Sequence, residues 1–274
     1  MLPLSIRTSL TAACFRSPLK RVFGNHAWML SGPLTGHRIY GPGIGDYLKG
    51  IYEPEVCRLI QTLVQPGWVC VDAGAHKGYL TLLLAKLVGR KGKIFAFEAH
   101  PGNAMQTHAN VRINGYENIV KVENIAITDM SLDQTKLFPG RGHSSAEWNI
   151  VGHDVSGASQ EPEMEIRSES LDSYFPPKLL IDFIKMDIEG AELRAISGMA
   201  RILRSSRPFL LVEFHGENGL DGGRRLIDTD YSLYDVDNAR WCKEAYAKGL
   251  FHCLAVPTEH VEDFEARLGQ QLTH

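Results

Sequence analysis

The sequence predicts an α/β fold with a doubly wound, mostly parallel, seven-stranded sheet. Two observations carry this expectation. From Gly50 onward, short apolar runs alternate with segments of helical spacing, and an acidic, glycine-bearing turn joins the first run to a leucine-rich segment. Parallel strands need crossover helices, and right-handed crossovers cover both faces of the sheet. In such sheets ligands sit beyond the carboxyl ends of the strands, so polar residues just after strands matter most.

The elements follow in order. A helix is expected at 53–64 (EPEVCRLIQTLV), stopped by Pro66-Gly67. A strand at 68–71 runs into the turn 72–78 and a helix at 79–88. The next strand, 93–97, ends on Glu98, and a helix at 101–114 carries Pro101 in its first turn with Gly115 just past its end. Strands follow at 119–123, 180–186, 209–214, 231–236 and 252–256, with a helix at 191–203. Two extra strand-like runs near 135–138 and 164–168 flank a polar loop containing His143, Ser144 and Ser145. Loops at 139–162 and 216–230 are expected to shape an acceptor pocket.

Residues 1–49 read as a basic arm or helix, and 50–274 as the main domain. The arm holds Arg7, Arg16, Lys20, Arg21 and Arg38 with no acid before Asp46, and Ser5, Thr8, Ser9, Thr11 and Ser17 give it a transit-peptide-like composition. An arm packed on the domain, or touching a membrane surface, explains the same residues. The Gly- and Pro-rich stretch 38–50 reads as a loop and a boundary. Cytoplasmic residence is expected, with mitochondrial targeting as the alternative.

Composition narrows the partners. The chain has 274 residues, is 44% hydrophobic and carries a net charge of −3, which gives no general attraction to nucleic acid. A small-molecule or glycan acceptor is expected instead. The five cysteines are odd in number and scattered without a CxxC pair, pointing to reduced thiols rather than disulfides or zinc. No apolar run approaches the ~20 residues that span a bilayer. Nothing in the composition fixes the oligomeric state.

The strongest chemical signal is the turn VDAGAHKG at 71–78. A dinucleotide site would show GxGxxG, with the helix N-terminus on a pyrophosphate. Here the glycines, Gly74 and Gly78, are spaced GxxxG, and Asp72 would repel phosphate while accepting from an ammonium group. S-adenosylmethionine offers an amino group and no phosphate. A tight βα turn with a capping acid explains the same residues. Glu98 follows Gly74 by roughly two dozen residues, close to the ~20 expected of a ribose-binding acid, and a carboxylate suits a vicinal diol. Ala126, small and at the end of the third strand, would leave room for adenine, although a buried strand end reads alike.

Acids gather at two further strand ends. The fourth strand runs into KMDIEGAE (185–192), so Asp187 lies at the ligand edge; it could equally cap the following helix. Glu189 reads either way, and Glu192 reads as a helix acid complementing the dipole. The fifth ends VEFH (212–215), where Glu213 and His215 face one side and Phe214 the other. His215 could take a proton near neutral pH, or simply cap a strand end.

Taken together, GIYEPEV, VDAGAHKGYLTLLLA, IFAFEAHP, Asn110, Asn114, NIAITD, SLDSYF, IDFIKMDIEGAE and LLVEFH, at consistent spacing from about Gly50 to His215, resemble the FkbM-type methyltransferases. The resemblance implies a Rossmann-like class I fold that binds S-adenosyl-L-methionine and methylates a hydroxyl of a sugar, glycolipid or natural product. It implies that Asp72, Gly74 and Gly78 hold the cofactor's methionine end and Glu98 its ribose. Asp187 and Glu189 fall on the acidic motif beside the reacting centre, and Glu53 on the upstream acid. Two departures are His76-Lys77, where neutral residues are usual, and Ala99, where proline is frequent. Two rival readings are an NAD-dependent oxidoreductase and a non-catalytic binding protein of this fold.

An aliphatic hydroxyl needs help to lose its proton. Asp187, Glu189 and His215 are the candidate bases, and a divalent ion could substitute by lowering the hydroxyl pKa. Oxygen ligands would suit Mg²⁺, but no ligand set in the sequence is dense enough to assert a metal.

Overall fold

The computed structural model describes residues 26–42, 44–139, 148–149, 164–215, 218–242 and 252–271. The transit-like stretch to residue 25, the polar loop with His143, Ser144 and Ser145, and most of 139–162 lie outside them.

A hairpin, β1 (His26–Trp28) with β2 (Arg38–Tyr40), comes first, then the short helix α1 (Gly45–Lys49) and α2 (Pro54–Leu63). The expected 38–50 loop is therefore strand at its start and helix near its end. Asn114 and Asn110 supply the reason. Asn114 Oδ1 accepts from the Arg38 N–H at 2.9 Å and Asn110 Oδ1 from the Tyr40 N–H at 2.7 Å, so side-chain amides satisfy a strand edge that local propensity leaves open. Met29, Leu34, Ile39 and Tyr47 from this segment are buried in the same core as α2.

Alternation then runs as expected. β3 (Val69–Ala73) leads to α3 (Tyr79–Val88), β4 (Lys93–Phe97) to α4 (Pro101–Ile113), and then comes β5 (Val120–Glu123). α2 buries Val56, Cys57, Leu59, Ile60 and Leu63, an i, i+3, i+4, i+7 stripe, and ends where Val64 turns extended before Pro66. α3 is apolar on nearly every side because it packs against α2, α4, β3 and β4 together. Each of its buried leucines contributes roughly 1.5–3 kcal/mol.

A small sheet follows, in the order β6 (Ala126–Ile127), β9 (Met164–Glu169), β7 (Leu132–Pro139), β8 (Trp148–Asn149). It accounts for the two extra runs. After the single turn α5 (Leu171–Tyr174) comes β10 (Phe183–Met186). The helix expected at 191–203 is two, α6 (Glu192–Ser197) and α7 (Ala200–Ser205). The break falls at Gly198, where a Cβ would stand 2.3 Å from the Thr128 carbonyl, so the chain just after β6 approaches too closely for any side chain there.

β11 (Phe209–Glu213) precedes α8 (Asn218–Ile227), then β12 (Tyr231–Asp235), β13 (Arg240–Cys242), β14 (His252–Pro257) and α9 (Val261–Gln271). From residue 218 the expected 216–230 loop is thus a helix. Among the described residues the main sheet has eight strands rather than seven, ordered β13-β12-β14-β11-β10-β3-β4-β5. The extra strand is β13, paired antiparallel to β12 at the edge. Strands β11, β10, β3, β4 and β5 run parallel, and β14 reverses. Successive residues serve opposite faces: Cys70 and Phe183 join the core with α2 and α3, Val71 and Ile184 the core with α6 and α7. No helix among the described residues is long and apolar enough to cross a membrane. Among the described residues Cys57, Cys70, Cys242 and Cys253 are free thiols, and Cys57, Cys70 and Cys253 are buried.

Candidate active site at the strand exits

The chain leaves β3 toward β4 and β5 on one side, while β10 and β11 lie on the other. The place where strand order reverses is therefore between β3 and β10, the position at which open α/β sheets bind their ligands.

The 74–78 loop bridges it with left-handed backbone at Gly74 (φ 79°), His76 (φ 49°) and Gly78 (φ 84°). Its amides are already committed. The Gly74 and Ala75 N–H groups both donate to the Phe97 carbonyl at 2.9 and 3.0 Å, the His76 N–H donates to Glu98 Oε2 at 2.6 Å, and the Gly78 N–H to the Ala75 carbonyl at 2.8 Å. A phosphate-binding loop presents such amides to its anion. This one spends three of them on the end of β4 and one within itself, which disfavours the dinucleotide reading. Gly74 is required by space: a Cβ there would lie 1.6 Å from the Asp187 carbonyl.

Glu98 ends β4 as predicted. Its second oxygen accepts the His100 N–H at 2.8 Å. Burial pushes its carboxyl up to about 7, outweighing both amide donors. With the Asn103 side chain also bonded to the carboxylate, three of roughly four lone-pair sites are used, leaving capacity for one further donor such as a ribose hydroxyl. Asn124 donates to the carbonyls of Glu98 and Ala99, both at 2.8 Å, and so ties the end of β5 to that of β4. His76 is held neutral, its pKa pushed down to about 4 by burial with Lys77 and Lys185 adding to the effect, and its Nδ1 meets Tyr47 Oη at 2.9 Å.

Asp72 has no exposed surface, and its Oδ2 accepts from Thr81 Oγ1 at 2.5 Å. It lies under the loop, sharing Lys185 with the Gly74 carbonyl. Burial raises its carboxyl, opposed by Lys185. Ala126 is also buried, packed with Leu137, Ile166 and Ala191 in the core of the small sheet.

Lys185, opposite Asp72 in the β10–β3 register, is the buried cation of the site. Its Nζ reaches Asp187 Oδ2 at 3.2 Å and the Gly74 carbonyl at 3.1 Å, with Asp72 Oδ1 at 4.0 Å. Burial alone would lower its pKa, but Asp187, Asp72 and Glu53 together hold it above its ordinary value. Glu53, left-handed at φ 40° before α2, is raised by burial and feels Lys185, Asp187 and Glu213.

His215 draws the remaining acids together. Its Nε2 stands 3.5 Å from Glu189 Oε2, 3.6 Å from Glu213 Oε1 and 3.8 Å from Asp187 Oδ1. Its Nδ1 meets Glu192 Oε1 at 3.0 Å. Burial opposes the charged ring, but Glu192, Asp187 and Glu189 outweigh it and raise the pKa to about 9. Glu192 is no mere helix acid: it is wholly buried and also accepts the Ile188 and Gly190 N–H groups. Asp187 does not cap the following helix, whose N-cap is Ala191.

The model of the methyltransferase FkbM domain matches residues 72–246, well over half of the chain. The chain belongs to the FkbM methyltransferase family. The FkbM domain thus spans β3 to β13 and holds all the predicted site residues except Glu53. Among curated relatives, the 2-O-methyltransferase NoeI of Sinorhizobium fredii is 26% identical over 199 residues, covering 65% of this chain and 77% of that protein. The protein-L-isoaspartate O-methyltransferase of Aeropyrum pernix is 35% identical over 87 residues, which is 32% of this chain and only 30% of that relative's length. The crystal structure of methyltransferase FkbM from Methylobacillus flagellatus aligns with TM-score 0.48 and 18% identity over 77% of this chain and 52% of its own.

Within the FkbM domain the structure brings Asp187, Glu189 and His215 together. Glu53 joins them through shared electrostatics, and Glu98 stands with the loop. Sequence reasoning assigned no role to Lys185, Thr81, Glu213 or His252. Lys185 left a usable signal, a lysine inside an otherwise apolar strand. His252, whose Nε2 is 3.3 Å from Glu213 Oε2, comes from the distant β14 and left none.

Proposed function

We propose that the protein is an S-adenosyl-L-methionine-dependent O-methyltransferase acting on a hydroxyl of a sugar, glycolipid or other small molecule. One observation carries the reading: at the β3–β10 switch point three loop amides are spent on the end of β4 and a fourth within the loop, while Glu98 keeps room for a further donor, an arrangement suited to a nucleoside without phosphates. Membership of the FkbM family supports methyl transfer, and the similarity to a 2-O-methyltransferase supports oxygen as acceptor.

The donor set fits the cofactor. Glu98 would accept from the ribose diol. Asp72 Oδ1, buried without a hydrogen-bond partner, would place negative charge beneath a cationic amino-acid tail. Bound there, S-adenosyl-L-methionine supplies an electrophilic methyl group on a sulfonium. The chain's own task is to orient the acceptor oxygen in line with that carbon and to hold its proton. Asp187, Glu189 and His215 converge at the strand exits, so a hydroxyl placed there has its proton taken up within this group.

Calorimetry with S-adenosyl-L-methionine and with NADH tests the cofactor: binding of the first alone is expected, and binding of NADH alone would overturn the reading. Incubating extracts with isotopically methyl-labelled cofactor should then reveal a labelled acceptor by mass spectrometry. Asp187→Ala should abolish that label; unchanged transfer would remove Asp187 from the chemistry.

A further inference from the structure

Two adjacent parallel strands deliver a second kind of ligand set to the same edge. Asp187 follows β10, Glu213 ends β11 and His215 lies two residues further. One donor atom from each of these three side chains lies within 4.8 Å of the other two. Ligands about 2.1 Å from a common ion stand about 3 Å apart at right angles and about 4.2 Å apart across it. The observed 3.6 Å from His215 Nε2 to Glu213 and 3.8 Å to Asp187 therefore lie within small side-chain adjustments of a shared centre.

A separate feature points the same way. A metal-binding imidazole is oriented by a partner on its other nitrogen, often a carboxylate. Here Glu192 holds His215 Nδ1 at 3.0 Å and is itself fixed by the Ile188 and Gly190 amides. That carboxylate is completely buried, and its Oε2 has no hydrogen-bond partner. Once a cation displaces the Nε2 proton, the acceptor at Nδ1 keeps the other proton there, so the Nε2 lone pair faces the carboxylates. Glu213 is braced likewise by His252, which Asp237 holds at 2.8 Å. Asp187, Glu213 and His215 are all partly exposed, so an ion can enter.

We propose that Asp187, Glu213 and His215 bind one divalent transition cation, with Glu192 orienting the imidazole. One nitrogen with two carboxylates suits Mn²⁺, Fe²⁺ or Zn²⁺ better than Mg²⁺. Asp187, shared with Lys185, and Glu213, shared with His252, would face the dication with Glu189 close by, and positions beyond these three ligands remain for water or an acceptor hydroxyl, whose pKa the ion would lower. That last role rests on the O-methyltransferase reading. The binding itself does not.

The test is a Mn²⁺ titration of the chelator-stripped full chain, followed by electron paramagnetic resonance, with S-adenosyl-L-methionine binding measured in parallel by calorimetry. Saturable binding of one Mn²⁺ per chain is expected. Glu213→Gln and Glu192→Gln should each weaken it by about tenfold to a hundredfold, while the exposed Glu55→Gln leaves it unchanged. Mn²⁺ should also broaden the ring resonances of His215 in the unmutated protein, which needs no folded variant. Absence of saturable binding, or a site unaffected by Glu213→Gln, overturns the proposal. Normal Mn²⁺ binding without S-adenosyl-L-methionine binding leaves the cation site standing and removes the methyl-transfer reading instead.

Discussion

Lys185 Nζ stands 3.2 Å from Asp187 Oδ2 while facing Asp72 on the neighbouring strand, so one buried cation serves the acids of both sides of the switch point. Removing one partner of such a buried group leaves uncompensated charge, at a cost of about 3–5 kcal/mol. Lys185→Met should therefore destabilise the fold strongly in urea unfolding, and adding Asp72→Asn should recover part of the loss. Additive effects of the two changes would show that they do not interact.

Glu98 should make cofactor binding pH-dependent. Its carboxyl titrates at about 7 in the folded chain, and only the ionised form accepts fully from a diol. Affinity for S-adenosyl-L-methionine should rise as pH climbs through about 7. The fold responds with the opposite sign. A carboxyl raised by burial contributes stability below its unfolded value of about 4.3 and loses it as pH rises through the folded value. Glu98→Gln should flatten both profiles and weaken binding about 10- to 100-fold, the worth of hydrogen bonds to a charged group. Calorimetry and thermal melts between pH 5 and 8 read both.

Two glycines with similar backbone should respond differently to alanine. Gly115 (φ 73°) has nothing within 4 Å of the place a methyl group would take, so Gly115→Ala should cost only about 1 kcal/mol for its left-handed backbone. Gly74→Ala adds a collision with the Asp187 carbonyl and should cost several times more, as a lower Tm and weaker cofactor binding. Equal melting temperatures would contradict the close β3–β10 approach.

Asn110, with no exposed surface, links the N-terminal hairpin to the loop: Oδ1 accepts from Tyr40 and Nδ2 donates to the Lys77 carbonyl at 2.8 Å. Asn110→Ala leaves two backbone groups without these partners, at about 1–3 kcal/mol each if they stay buried. Limited proteolysis should then cut the 26–50 segment faster than in the unmutated chain. An unchanged cleavage rate would show that the Asn114 bonds and the burial of Met29, Leu34 and Ile39 hold the hairpin without Asn110.

Much of this was legible in the chain. The alternation of apolar runs with helical spacing located β3, β4, β5, β10 and β11, because the central strands are buried on both faces and read as largely apolar runs. The turn at Gly74 and the acid at Glu98 stood out because each departs from that pattern just past a strand. The break at Gly198 and the strand β2 did not stand out, since the Thr128 carbonyl and the Asn114 amide that decide them are remote in sequence.

By itself, the sequence determined the parallel sheet, the order of its units and which strand ends carry acids, because periodicity and turn chemistry are local. Tertiary structure alone decided that Asp72 lies under the loop, that Lys185 is shared between two strands, and that Glu192 turns His215 toward Asp187 and Glu213. Those outcomes depend on which side chains meet across strands and on how burial sets their charge, and neither distance nor dielectric is written in the order of residues along a chain.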